Sequence, residues 1–345
     1  MSLKWGIIGT GSIAHTFATG LKAAKRGELV AIGSRAKESA VKFGAQYGVP
    51  DDKCYATYAE LFNDPSVDIV YISTPHPQHC EVSIQAAQSK KNILVEKPFA
   101  MNEAEATRIL AAAKENDVFL MEAYMYRCHP QTCKIVELVH NGSIGDVKMI
   151  KANFAFDGRP LGASSRLWRN ELGGGAIMDI GGYPMSFARL IAGAATNSGF
   201  ANPTEIKAVG HVQADTQVDE WTTASLAFGE KISAQLFTAI FADLDSCIEV
   251  LGSKGSIKAP NLWRPDLPAM APMKIELTEY GKEPQVVAFD LPEPDLYAIE
   301  ADAVADAVFQ GAKECKYMTW EDSMGQIRAI DKWRKEIGLI YSADK

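Results

Sequence analysis

The chain has 345 residues, 47% of them hydrophobic and 23% charged, the balance of an ordinary globular protein long enough for two domains with separate cores. Its net charge of −8 argues against a dedicated nucleic-acid binder, because phosphate neutralisation needs a basic surface. No apolar run approaches the roughly 20 residues required to span a bilayer.

The N-terminus reaches a strand pattern within a few residues, without a charged-then-apolar leader. The six cysteines, at 54, 80, 128, 133, 247 and 315, contain no CxxC pair. They read as mostly reduced thiols, and a cytoplasmic location is expected. Cys128 and Cys133 flank His129, but with no second pair the metal signal is weak and no metal is expected.

In chain order, short apolar strands at 5–9, 28–34, 69–73 and 92–96 alternate with helical patterns at 13–25, 36–47, 77–89 and 103–116, and 118–122 is strand-like. This alternation predicts parallel βαβ units and a doubly wound parallel sheet whose cleft lies at the carboxyl ends of the strands. The character changes near residue 124. A helix at 131–141 and a strand at 148–156 lead to longer alternating strands at 205–214, 219–228, 231–241 and 246–252, with turn signals at 228–230 and 252–255. A large, mostly antiparallel sheet is expected there. The tail is helical at 297–311 and 320–337. The sequence thus divides into residues 1–123, a dinucleotide-binding domain, and 124–345, a second α/β domain whose last helices could pack back on the first. One face of the second sheet could lack a helical cover, with Thr223, Ser225, Phe237 and Phe241 as candidates for it. Such a face favours a homodimer or higher homo-oligomer; a sheet covered by its own loops is the alternative.

Gly9-x-Gly11-x-x-Ala14 follows the first strand and opens a helix. Gly9 permits the tight turn, Gly11 lets backbone approach a pyrophosphate, and Ser12 and Ile13 start a helix whose free N–H groups suit an anion. The second strand ends on Ser34-Arg35, 24 residues beyond Gly11 (35 − 11), where an NAD site would place an acid. A guanidinium grips a 2′-phosphate and an acid repels it, so NADP is favoured over NAD. Ser73-Thr74-Pro75-His76 ends the third strand, where a nicotinamide ribose is expected, and His79, grouped with them as a cofactor contact, either begins the next helix or shuttles a proton. The fourth strand ends on Glu96-Lys97-Pro98, which puts a lysine in the cleft. Glu96 reads as a structural hydrogen-bonding group or a ligand contact.

Taken in order, these motifs resemble the Gfo/Idh/MocA family of sugar and polyol oxidoreductases. Two further stretches, Glu122-Ala-Tyr-Met-Tyr-Arg127-Cys-His129-Pro and Gly173-Gly-Gly-Ala-Ile-Met-Asp179-Ile-Gly-Gly-Tyr183, extend the likeness over nearly the full length. The resemblance implies an N-terminal Rossmann domain and a C-terminal α/β domain with an open sheet used for oligomerisation. It also implies a cis bond before Pro98 and a cofactor contact at Arg127. Many members carry histidine where this chain has Tyr183. Tyrosine there is similar to the dihydrodiol, xylose and glucose–fructose oxidoreductase branch, which pairs the motif lysine with the tyrosine and uses NADP.

The chemistry of that pair follows from charge. Hydride removal from a carbinol carbon requires loss of the hydroxyl proton. A free tyrosine, with a pKa of about 10, is a poor base near neutrality, and an adjacent Lys97 ammonium stabilises its phenolate. Asp179, four positions before Tyr183, shares a face with it if both are helical, and would hold a substrate hydroxyl or orient the phenol. Pro184 complicates that helix, and Asp179 as a simple cap is the alternative. Trp168 offers a ring face to a sugar's C–H surface; Tyr126, His129, Arg166 and Arg169 either line the substrate site or pack elsewhere. The sequence therefore predicts an NADP-dependent oxidoreductase for a sugar, polyol or related diol, with Lys97, Asp179 and Tyr183 catalytic and Trp168 beside the substrate. A non-catalytic NADP sensor and an enzyme that retains its NADP between turnovers are the alternatives.

Overall fold

A computed structural model describes residues 1–243, 246–264, 273–289 and 295–345. The described chain forms two compact units, Met1–Cys128 with Asp295–Met324, and His129–Pro294 with Gly325–Lys345.

The first unit begins β1 (Leu3–Ile8), α1 (Ser12–Ala23), β2 (Gly27–Gly33), α2 (Lys37–Tyr47), β3 (Cys54–Tyr55) and α3 (Tyr58–Phe62). It continues β4 (Ile69–Ile72), α4 (His79–Gln88), β5 (Asn92–Glu96), α5 (Glu103–Asn116) and β6 (Leu120–Ala123). The sheet order is β3-β2-β1-β4-β5-β6, with every pairing parallel. Helices on both faces require strands that are apolar on both faces, and β4 and β6 are buried at every position. Local chemistry sets the helix ends. Asn102 caps α5 by accepting from the Glu105 N–H at 3.0 Å, and Thr57 and Glu60 form a capping box on α3. Strand order reverses between β1 and β4, which opens the crevice at their carboxyl ends.

The second unit holds α6 (Pro130–His140), β7 (Val147–Ala155), α7 (Gly182–Ala195), β8 (Glu205–Val212), β9 (Asp219–Phe228) and β10 (Ile232–Ala239). Then come β11 (Cys247–Gly252), β12 (Gly255–Pro260), β13 (Ile275–Glu279) and β14 (Gln285–Val287). They form one sheet in the order β14-β13-β12-β11-β7-β10-β9-β8, antiparallel except where β7 lies parallel to β10. α7 packs on β7 and β10. Burial alternates along the strands, and the other face exposes Lys207, Val209, Thr223, Ser225, Ser233, Gln235 and Lys258, with Phe237 half-buried and Phe241 exposed.

The chain returns to the first unit with α8 (Leu296–Phe309), and α9 (Trp320–Glu336) passes from one unit to the other after Met324. α8 packs on α1 at Gly20, where a Cβ would lie 2.6 Å from Asp295 Oδ1 and from Tyr297 Cβ. The spatial division breaks the chain first between Cys128 and His129. It assigns 295–324 to the first unit and 325–345 to the second.

α7 and the strands beyond residue 255 lie outside the sequence expectation. α7 is buried on almost every side, and its run opens on Gly181-Gly182 and Pro184, which read as turn residues. Among the described residues no helix is long and apolar enough to cross a membrane.

Candidate active site

In the first unit the expected cofactor residues gather at the carboxyl ends of the strands. Gly9 ends β1 with φ +100°, and a Cβ there would meet Ser73 Oγ at 3.0 Å, so this glycine serves both the turn and the neighbouring strand end. Gly11 differs: a Cβ on it would meet nothing within 4 Å, and no protein neighbour requires its absence. Gly11 is also the N-cap of α1 and supplies no side-chain cap, so the N–H groups at Ser12 and Ile13 face outward with the positive end of the helix. Ser73 is buried and its Oγ donates to Ile8 O at 2.9 Å. Thr74 is 6% exposed and its Oγ1 has no hydrogen-bond partner, an orphaned hydroxyl at the strand end. The bare helix start, the empty space at Gly11 and this hydroxyl fit a dinucleotide laid across the crevice.

Ser34 is buried at the end of β2 and Arg35 beside it is exposed. Lys37 donates its Nζ to the Asp51 carbonyl at 2.6 Å and to that of Cys54. Pro75 is half-buried and His76 is buried edge-on to His79, with ring centroids 5.7 Å apart. His79 is fully buried; its Nδ1 faces Pro98 O and its Nε2 faces Thr74 O, both at 2.9 Å. That makes the ring a brace between the ends of β4 and β5.

Glu96 accepts from Tyr71 Oη and from the Lys97 N–H at 3.2 Å, which fixes the strand end that presents Lys97. Tyr71 in turn stacks on Phe17 at 3.8 Å. Nearby Glu300 on α8 is fully buried with both carboxyl oxygens unpaired, and burial, with Glu96 adding to it, pushes its carboxyl well up. Lys97 is half-buried and the Lys97-Pro98 bond is cis. Arg127 is 4% exposed; its guanidinium donates to Tyr317 O at 3.0 Å and pairs with buried Asp322 at the start of α9. A buried pair of this kind holds structure, since removing either partner leaves a charge uncompensated.

The second unit carries the remaining candidates. Gly173–Gly175 leads into a wide helical turn, Ile177–Gly181, that contains Asp179 and runs on into α7, with Tyr183 and Pro184 in its first turn. Pro184 thus stands just after the change from the wide turn to the α-helix. Asp179 and Tyr183, four residues apart, span the junction between the wide turn and α7. Tyr183 is 5% exposed, its ring edge-on to Phe154 at 5.3 Å and tilted to Trp263 at 5.9 Å. Trp263 is anchored by its Nε1 donating to Asn153 O at 2.8 Å. Asp179 is 8% exposed and accepts from Arg166 Nη2 at 2.6 Å. Gly174 makes that pair attainable, because a Cβ there would lie 2.5 Å from Leu167 O and 2.6 Å from Arg166 O. Trp168 is half-buried on the same segment. Arg169 pairs with Glu171 on the surface, and His129 caps α6 by accepting from the Gln131 N–H at 3.2 Å.

A family model described as an oxidoreductase family with an NAD-binding Rossmann fold matches residues 3–124, and the Gfo/Idh/MocA C-terminal domain matches residues 133–258. The chain belongs to the Gfo/Idh/MocA oxidoreductase family. It is an NAD(P)-dependent oxidoreductase acting on CH–OH groups. Among its relatives is trans-1,2-dihydrobenzene-1,2-diol dehydrogenase of Danio rerio, 33% identical over 356 residues that cover 100% of this chain and 99% of that protein. The Homo sapiens protein of the same name is 29% identical over 100% of both. KijD10, a 3-ketoreductase from Actinomadura kijaniata solved with NADP and TDP-benzene, is 27% identical, with a TM-score of 0.83 over 98% of each chain. Aldose-aldose oxidoreductase from Caulobacter crescentus, complexed with glycerol, shares the fold at 23% identity, with a TM-score of 0.85 over 97% of each chain.

Proposed function

We propose that this protein is an NADP-dependent dehydrogenase of a sugar or a related vicinal diol, with Tyr183 as its acid–base group. The observation that carries this reading is the setting of Tyr183: a nearly buried phenol in the first turn of α7, walled by Phe154 and Trp263, with the Asp179–Arg166 pair just before it in the chain. The curated relatives are named for a diol and the 3-ketoreductase neighbour was solved with NADP, which supports both the substrate class and the coenzyme.

The nicotinamide supplies or takes the hydride when bound. Tyr183 accepts the hydroxyl proton in oxidation and returns it in carbonyl reduction. A Lys97 ammonium brought beside that phenol favours phenolate. Asp179, with Arg166, holds a neighbouring hydroxyl and so fixes which carbon faces the hydride acceptor. Trp168 covers the apolar side of the substrate. Gly9, Gly11, Ser12, Ile13, Ser73, Thr74, Pro75 and His76 hold the dinucleotide, and Ser34 and Arg35 hold its 2′-phosphate.

The coenzyme assignment rests on Arg35, an exposed guanidinium where an NAD enzyme carries an acid. Hydrogen bonds to a charged group contribute about 1.5–3 kcal/mol, so Arg35→Ala should weaken NADP binding by roughly 10–100-fold and NAD binding by less than about threefold. Fluorescence titration with both coenzymes measures this, and equal losses for the two would remove Arg35 from the phosphate site. We further assign the exposed face of the second sheet to a second copy of the chain. Light scattering should then give twice the chain mass of 37.5 kDa, and a monomer at all concentrations would refute the pairing.

A further inference from the structure

Asp219 is a fully buried acid that the chemistry above does not use. It opens β9 opposite Val212 of β8, and its Oδ2 accepts the Ile177 N–H at 2.9 Å. Ile177 begins the wide turn that carries Asp179 and leads to Tyr183. The other oxygen, Oδ1, lies against Gly175, where any Cβ would overlap it, and Gly175 also holds φ +99°. Position 175 is thus left bare to admit the carboxyl. The adjacent Gly174 is tied from the far end of the chain by buried Tyr341, whose hydroxyl donates to Gly174 O at 2.5 Å.

The first turn of a helix carries N–H groups without intrahelical partners, and an acceptor placed there fixes where the helix starts and how its first side chains point. Ala176, the N-cap of this turn, has no side chain able to do so. Asp219 supplies the acceptor from a neighbouring strand instead. An asparagine would offer Ile177 the same acceptor without an ionisable group. Burial pushes the Asp219 carboxyl up to about 7, with the Ile177 N–H and the Arg334 guanidinium opposing the rise.

We propose that Asp219 is the positioning residue of the catalytic segment: seated in the space left by Gly175, it fixes the start of the turn that presents Asp179 and Tyr183. The inference rests on the acid–base reading given under the proposed function. In the full-length protein, Asp219→Ala should lower kcat by about 100-fold through misplacement of the phenol, with KM for NADP unchanged. Asp219→Asn, which keeps the acceptor, should stay within about threefold of the parent, a difference of under 1 kcal/mol in barrier. Hydrogen exchange should show the Ile177 amide protected in the parent and the Asn variant and unprotected in the Ala variant. Asp219→Val, which fills the strand position without an acceptor, replaces the Ala variant if that fails to fold. A variant lacking the acceptor that retains full kcat or a protected Ile177 amide overturns the proposal, and so does an Asn variant as slow as the Ala one. Tyr183→Phe run alongside separates the two claims. If it is fully active the acid–base reading has failed, and exchange at Ile177 alone still decides whether Asp219 caps the segment.

Discussion

Tyr183→Phe should reduce kcat by about 10²–10⁴-fold, the usual worth of a positioned general acid–base group, while the affinity for NADP stays within about twofold. The two parts of this expectation have separate origins. The residues read as holding the dinucleotide belong to the first unit, whereas Tyr183 lies in the second, packed against Phe154 and Trp263. Phenylalanine keeps that packing and removes only the hydroxyl. Loss of coenzyme affinity together with turnover would mean that the substitution disturbed the fold and not the proton step. Steady-state rates in both directions, combined with a coenzyme titration, distinguish these results.

Lys97→Met should lower kcat at neutral pH by about 10²–10³-fold and also change its pH dependence. Methionine keeps an unbranched chain at the end of β5 and removes the positive charge. Without that charge the Tyr183 phenol reverts toward the ordinary tyrosine value of about 10, so the rising limb of kcat for oxidation moves to higher pH. Part of the lost activity should return as the medium approaches that value. A variant that is slow at every pH, with an unmoved profile, would show that Lys97 positions the substrate and does not tune the phenol. Glu96, held by Tyr71, anchors the lysine's backbone, so the substitution leaves the strand end intact.

The first unit was legible in the sequence because its signals are local. Buried apolar runs mark β1, β4 and β5, and Gly9 and Gly11 mark the turn between β1 and α1. The second unit is less legible for a physical reason. α7 is buried on almost every side, and the glycines and proline around it resemble a loop. The pairing of Asp179 with Arg166 depends on the backbone approach that Gly174 permits, a contact across 13 residues with no sequence signature. Asp219 and Glu300 were invisible for a similar reason. Each is an acid inside an otherwise ordinary strand or helix pattern, and only burial singles it out. His79 and Arg127 are polar residues in suggestive places of the sequence, and in the first unit one braces two strand ends while the other closes a buried ion pair.

The proposed chemistry requires the Lys97 ammonium and the Tyr183 phenol to meet at the reactive carbon of the nicotinamide. A crystal structure of the protein with NADP bound tests it most directly. The account predicts Lys97 Nζ within about 4 Å of Tyr183 Oη, the range over which opposite charges shift a pKa strongly, with both groups beside the nicotinamide ring. Side chains lying about 8 Å or more apart, or a phenol facing away from the ring, would contradict it.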